Sequence, residues 1–184
     1  QGFRANASAA YGFGSSGATP LSWTKLEGGA STYFGLGQTL DKGFGAQQRQ
    51  QVIAVRVGAG TYIGTPPPGT RFSIGSANAA SAYELRGYGV GAFKGSTYLT
   101  SSAEYRYDLN VNNSVFQGVY LIGFVDAGTA FSAGEDLKVG YSFGLGTQLN
   151  IGLGGVGLPS IRFDYGFSPS TGSSQFHFRL GPVF

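Results

Sequence analysis

"DLKVGYSFGLGTQLNI", residues 136–151, is the stretch that decides the fold. From Leu137 onward one set of alternate residues is Leu137, Val139, Tyr141, Phe143, Leu145, Thr147, Leu149 and Ile151. Between them lie Lys138, Gly140, Ser142, Gly144, Gly146, Gln148 and Asn150. A period of two belongs to a β-strand, whose successive side chains point to opposite faces. The run is also long. A strand in a soluble protein usually has about 5–6 residues, whereas a tilted strand needs about 9–11 to cross a bilayer. Residues 137–151 suit such a crossing with some overhang.

The same alternation recurs along the chain. In "GFRANASAAYGFG" (2–14), Phe3, Ala5, Ala7, Ala9, Tyr11 and Phe13 face one way, and Arg4, Asn6, Ser8, Ala10 and Gly12 the other. Eight such segments are predicted, at about 2–14, 22–37, 49–62, 94–109, 114–129, 137–151, 159–168 and 175–184. Most connections are short and carry turn residues, as in "GSSGATP", "NVNN" and "SAGED". One is not short. Residues 63–93, between the third and fourth segments, form a long loop of the kind that is usually functional or disordered. Within it "YELRGYGVGAF" (83–93) sets Glu84 and Arg86 among Gly87, Gly89 and Gly91.

Composition narrows the class. Of the 184 residues only 11% are charged and 33 are glycine, where a soluble domain usually carries about a quarter charged residues. No apolar run approaches the roughly 20 residues of a membrane helix. If the Phe, Leu, Val and Tyr sets face lipid, the strand charges fall on the other side: Arg4, Lys25, Glu27, Arg56, Glu104, Arg106, Asp108, Asp126, Lys138, Arg162, Asp164, His177 and Arg179. Apolar outside and polar inside is the pattern of an outer-membrane barrel. A soluble β-sandwich reverses it and ordinarily shows more Lys and Glu on its exposed face. The expected fold is therefore an all-β, antiparallel, up-and-down transmembrane barrel with eight strands per chain, residues 1–184 forming one domain. The lipid bilayer is the first partner. The net charge of +3 without a Lys/Arg cluster gives no footprint for nucleic acid. Cysteine is absent, and no metal cluster, phosphate loop or cofactor site is expected. The opening at Gln1 is that expected of an exported protein that has lost its leader.

Six motifs carry a family resemblance. These are "LRGY" (85–88), "SAEYRYDL" (102–109), "GFVDAGTAF" (123–131), "GYSFGLGTQL" (140–149), "IRFDYGFSP" (161–169) and "FHFRLGPVF" (176–184). In their order and spacing the chain resembles the C-terminal half of the barrel of BamA/TamA-type bacterial surface-antigen proteins, relatives of the two-partner-secretion transporters. The resemblance implies an outer-membrane location and a role in protein assembly or translocation. It implies that the long loop folds into the lumen and that Arg86, with Gly87 and Tyr88, meets Asp126 of the Phe-x-Asp-x-Gly motif formed by Phe124, Asp126 and Gly128. Strand parity, read independently, puts those last three residues on the lumen side. A buried carboxylate needs a partner, and arginine offers it a bidentate fork. Arg106 and Arg162 are the competing partners for Asp126. The resemblance also implies that Phe176, Phe178, Leu180 and Phe184 form a C-terminal signal for the outer-membrane assembly machinery, although a lipid-facing strand with an aromatic end is read from the same residues.

Family barrels have sixteen strands and periplasmic domains in front. An eight-stranded barrel is just wide enough for its own side chains and does not also hold a long loop. Three arrangements answer this: eight strands closed alone with the loop outside, two copies sharing sixteen strands, or one half of a longer polypeptide. Self-closure is the favoured expectation. The functional expectation is a non-enzymatic barrel for assembly or translocation, or the barrel subunit of a complex with other envelope proteins, in which Glu104, Arg106, Arg162 and Asp164 hold the lumen in shape. The alternatives are a small pore and, remotely, a lipid-modifying enzyme built on His177 and Asp164, for which no neighbouring serine stands out.

Overall fold

The computed structural model describes residues 2–41, 47–76, 85–111, 113–153 and 156–181. The alternating segments become β1 (Gly2–Ser16), β2 (Thr19–Asp41), β3 (Gln47–Thr65), β6 (Thr97–Asp108), β7 (Phe116–Phe131), β8 (Gly140–Leu153), β10 (Ile161–Ser168) and β11 (Ser173–Leu180). They lie side by side in that order, each antiparallel to the next. A short β9 (Val156–Gly157) folds back on the end of β8. The pleat explains the sorting. β1 is exposed on both faces, Arg4 included, but along β7, β8, β10 and β11 the outward set is apolar, as with Leu145 (72% exposed) and Phe176 (65%), while inward Arg162 and Asp164 are almost fully buried. That is the reverse of a soluble domain, and a wall whose outer face meets lipid accounts for it. No helix among the described residues is long and apolar enough to cross a membrane.

Several expectations change. β2 and β3 run further than the alternation suggested, to Asp41 and from Gln47. β8 begins at Gly140, so Leu137, Lys138 and Val139 precede the ladder, and Lys138 is exposed rather than inside. Residues 93–95 do not open the fourth long strand. They form β5 (Phe93–Gly95), which pairs with β4 (Phe72–Ile74) in a two-stranded sheet within the long loop. Three-residue strands are too short for a period to show. Closure is the larger difference: among the described residues no ladder joins β1 to β11. The sheet is an all-β antiparallel wall, and the described part of the loop lies against its inner face. Glu84 and Phe184 lie outside the described residues.

The small β4–β5 sheet packs on the inner wall through apolar side chains. Phe72, Ile74, Tyr98 and Ala130 form a buried cluster, with Tyr62 and Phe93 against it. The Phe72 ring lies 4.6 Å from that of Tyr62 and 4.7 Å from that of Tyr98, centroid to centroid. Lys25 Nζ sits 5.4 Å from the Phe72 centroid, within cation–π range. The stalk of the loop is thereby fixed, and the residues after it are aimed at β6, β7 and β10.

Candidate functional site

The loop returns to the wall at a tight turn, Leu85–Tyr88. Leu85 N donates to Gly75 O (3.4 Å), and Ser76 N donates to Tyr88 O (3.0 Å), so the turn is tied to the end of β4. Gly87 takes φ 90, a conformation that costs glycine little and other residues much. It turns Arg86 into the wall, where the side chain is completely buried.

Arg86 meets Asp126 as a fork. Its Nε donates to Asp126 Oδ2 (2.7 Å), its Nη2 to Oδ1 (2.7 Å), and its backbone N to Oδ2 (3.1 Å). Ser102 Oγ, one strand away on β6, donates to Oδ1 (2.7 Å) and accepts from Arg86 Nη2 (3.0 Å). The remaining arm, Nη1, donates to Glu104 Oε1 (2.7 Å). The guanidinium carbon lies 3.5 Å from the centroid of the Phe124 ring, so one planar cation is both bonded at its edges and stacked on its face. Burial works against the charge on Arg86, but Asp126, and then Glu104 and Asp164, more than offset it and raise its pKa above the ordinary guanidinium value. A raised folded-state pKa means that this contribution is complete below the unfolded value and is lost only above it. The Arg86 guanidinium therefore stays charged at any ordinary pH.

A second layer encloses the first. Arg162 donates through Nη1 and Nη2 to Glu104 (3.1 and 2.7 Å) and through Nε to both oxygens of Asp164 (3.0 and 2.8 Å). Arg106 donates to Glu104 Oε2 from Nε and Nη2 (3.0 and 2.8 Å). Arg179 Nη2 donates to Asp164 Oδ2 (3.1 Å). Four arginines thus interleave with three carboxylates on β6, β7, β10, β11 and the loop. Buried charges are tolerated when their lone pairs and protons are matched in this way.

The residues singled out from sequence are distributed as follows. Arg86, Phe124, Asp126, Glu104, Arg106, Arg162 and Asp164 converge in this network. Arg106 and Arg162 go to Glu104 rather than to Asp126. Gly87 and Tyr88 face the β10–β11 hairpin instead. Gly128 does make room for the loop, but for the stalk: a Cβ there would lie 3.3 Å from Ile74 Cδ1. Phe176, Phe178 and Leu180 are on the outer face, each more than half exposed. Ser102 was missed. Its only signal was an inward parity two residues before Glu104.

A wall with apolar residues outside, buried charges inside and a loop pinned to its inner face fits the class of outer-membrane β-barrel proteins. The chain matches the Omp85 superfamily domain over residues 1–184 and belongs to that superfamily. Its members are outer-membrane barrels that work in protein assembly and secretion with other envelope proteins. No curated protein matches the chain.

Proposed function

We propose that this chain is a non-enzymatic barrel domain that assists insertion or translocation of other proteins at the outer membrane, alone or as the barrel subunit of an envelope complex. It is equivalent to the C-terminal half of a BamA/TamA-like barrel. One observation carries the reading: an internal loop is held on the inner wall by a fully buried arginine bonded to two carboxylates. A loop so placed occupies the space through which a translocating chain would pass, and its seat is polar and hydrogen-bonded. The network residues keep that seat in shape and perform no chemistry. The outward Phe176, Phe178 and Leu180 serve both as lipid-facing anchors and as the segment read by the assembly machinery during this protein's own insertion.

The test is reconstitution of the full-length protein in liposomes, with an unfolded barrel protein offered as substrate and protection from protease as the readout. Acceleration over protein-free liposomes, reduced at least severalfold by Asp126→Ala, is expected. Equal insertion with and without the protein, together with unchanged outer-membrane protein content in a deletion strain, would overturn the reading.

A further inference from the structure

The turn that carries Arg86 touches the wall in two directions. Arg86 itself reaches β6 and β7. The two residues after it reach the hairpin β10–β11. Ser173 Oγ donates to Gly87 O (2.9 Å), and Gly87 N donates to His177 Nε2 at the longer distance of 3.5 Å. The Tyr88 hydroxyl is 2.6 Å from Ser170 Oγ in the hairpin turn, and it bonds both the carbonyl and the amide of Tyr141 on β8 (3.2 Å each). The backbones are in direct contact. A Cβ at Gly166 on β10 would lie 2.6 Å from Gly87 N and 2.9 Å from Arg86 C.

This hairpin has the least ladder of its own. β10 and β11 have 8 residues each, whereas the other strands of the main path run from 12 to 23. Short strands have few cross-strand pairs to hold them. Yet the inward side chains here are as buried as any: Ser168 (0%), Asp164 (1%) and His177 (4%). The loop supplies part of their cover: Gly87 N reaches His177 Nε2, and Arg86 Nη1 lies 3.6 Å from Asp164 Oδ2.

We propose that Gly87 and Tyr88 make the loop a clamp on the β10–β11 hairpin, so that unseating the loop and loosening the hairpin are one event. The clamp has two anchors. Arg86 fixes the turn to β7, and Gly87 and Tyr88 carry that fixation across β8 to Ser170, Ser173 and the Gly166 backbone. Cutting either anchor releases both elements. The proposal goes beyond the assembly reading and stands whether or not the protein inserts substrates.

Hydrogen exchange on the full-length protein in lipid nanodiscs tests it. Tyr88→Phe keeps the ring against Phe93 (centroids 5.3 Å apart) and removes only the hydroxyl bonds. It should raise exchange severalfold in residues 85–88 and, together with them, in 173–180, while β1 and β2 stay unchanged. Gly166→Ala should do the same more strongly. If that variant does not fold, Ser173→Ala replaces it. Asp126→Ala is the discriminating variant, because Asp126 lies on β7, two strands from β10. The clamp requires at least a fivefold rise in 173–180 there too. Faster exchange of 85–88 with 173–180 unchanged within twofold, in Asp126→Ala or in Tyr88→Phe, would overturn the proposal.

Discussion

Breaking the central ion pair gives the sharpest measurement. Asp126 accepts four hydrogen bonds, three from Arg86 and one from Ser102. Asp126→Ala removes all four acceptor contacts but leaves Arg86 bonded to Glu104 and stacked on Phe124. Removing one member of a buried pair typically costs about 3–5 kcal/mol. Because Glu104 still compensates the cation, about 3 kcal/mol is expected. Arg86→Ala strands Asp126 with Ser102 and also loses the stacking, so the upper part of the range, about 4–5 kcal/mol, applies. Glu104 is spared, since Arg162 and Arg106 still hold it. Residues in direct contact couple. The double variant should therefore fall short of the sum by about 2–3 kcal/mol.

The assay is a double-mutant cycle read by urea unfolding in lipid vesicles and by exchange of the Arg86 amide, which is bonded to Asp126 in the native state. A loss of about 3 kcal/mol corresponds to roughly a hundredfold faster exchange if local opening controls it. The control is Arg71→Ala. It breaks a pair with Glu135 at 3.4 Å in which both side chains are about half exposed, and such pairs contribute about 0–1 kcal/mol. If Asp126→Ala costs no more than Arg71→Ala, or if the coupling is under about 0.5 kcal/mol, the loop is not held by this pair and the reasoning fails.

Three further outcomes follow from the geometry. Arg162→Lys should cost about 1–3 kcal/mol by unfolding, because one ammonium does not span Glu104 and Asp164 as the fork does and leaves acceptors unmet. Gly144→Ala would drive a Cβ into the Tyr165 carbonyl oxygen on β10 and place it 2.5 Å from Phe124 Cζ, disturbing both the β8–β10 ladder and the ring on which Arg86 stacks. It should cost about 1–3 kcal/mol, whereas Gly14→Ala, with open space around it, should be near neutral in the same urea titration. On the outer face, Leu145→Arg at mid-strand should cost about 2–4 kcal/mol on folding into vesicles if it meets the bilayer core, and Leu145→Phe should cost little. An arginine tolerated there would mean that this face meets water.

Alternation along a strand is a local property, so the wall and the assignment of its two faces were legible from residues such as Leu137–Ile151 and Phe3–Phe13 alone. The inward placing of Glu104, Asp126, Arg162, Asp164, His177 and Arg179 followed from the same parity. Arg86 and Asp126 were tied together only through the resemblance, since nothing in the spacing of a loop residue and a strand residue 40 positions on says that they meet. The tertiary structure decided the rest. It assigned Arg106 and Arg162 to Glu104, seated Ile74 over Gly128, and sent Gly87 and Tyr88 to Ser170 and Ser173. It also left the ends of the sheet unjoined among the described residues where closure was expected. The physical reason is the same in each case. Parity tells which way a side chain points. Whether it finds a partner depends on strand register, on sheet curvature and on the path of a loop whose backbone fits only where glycine leaves room.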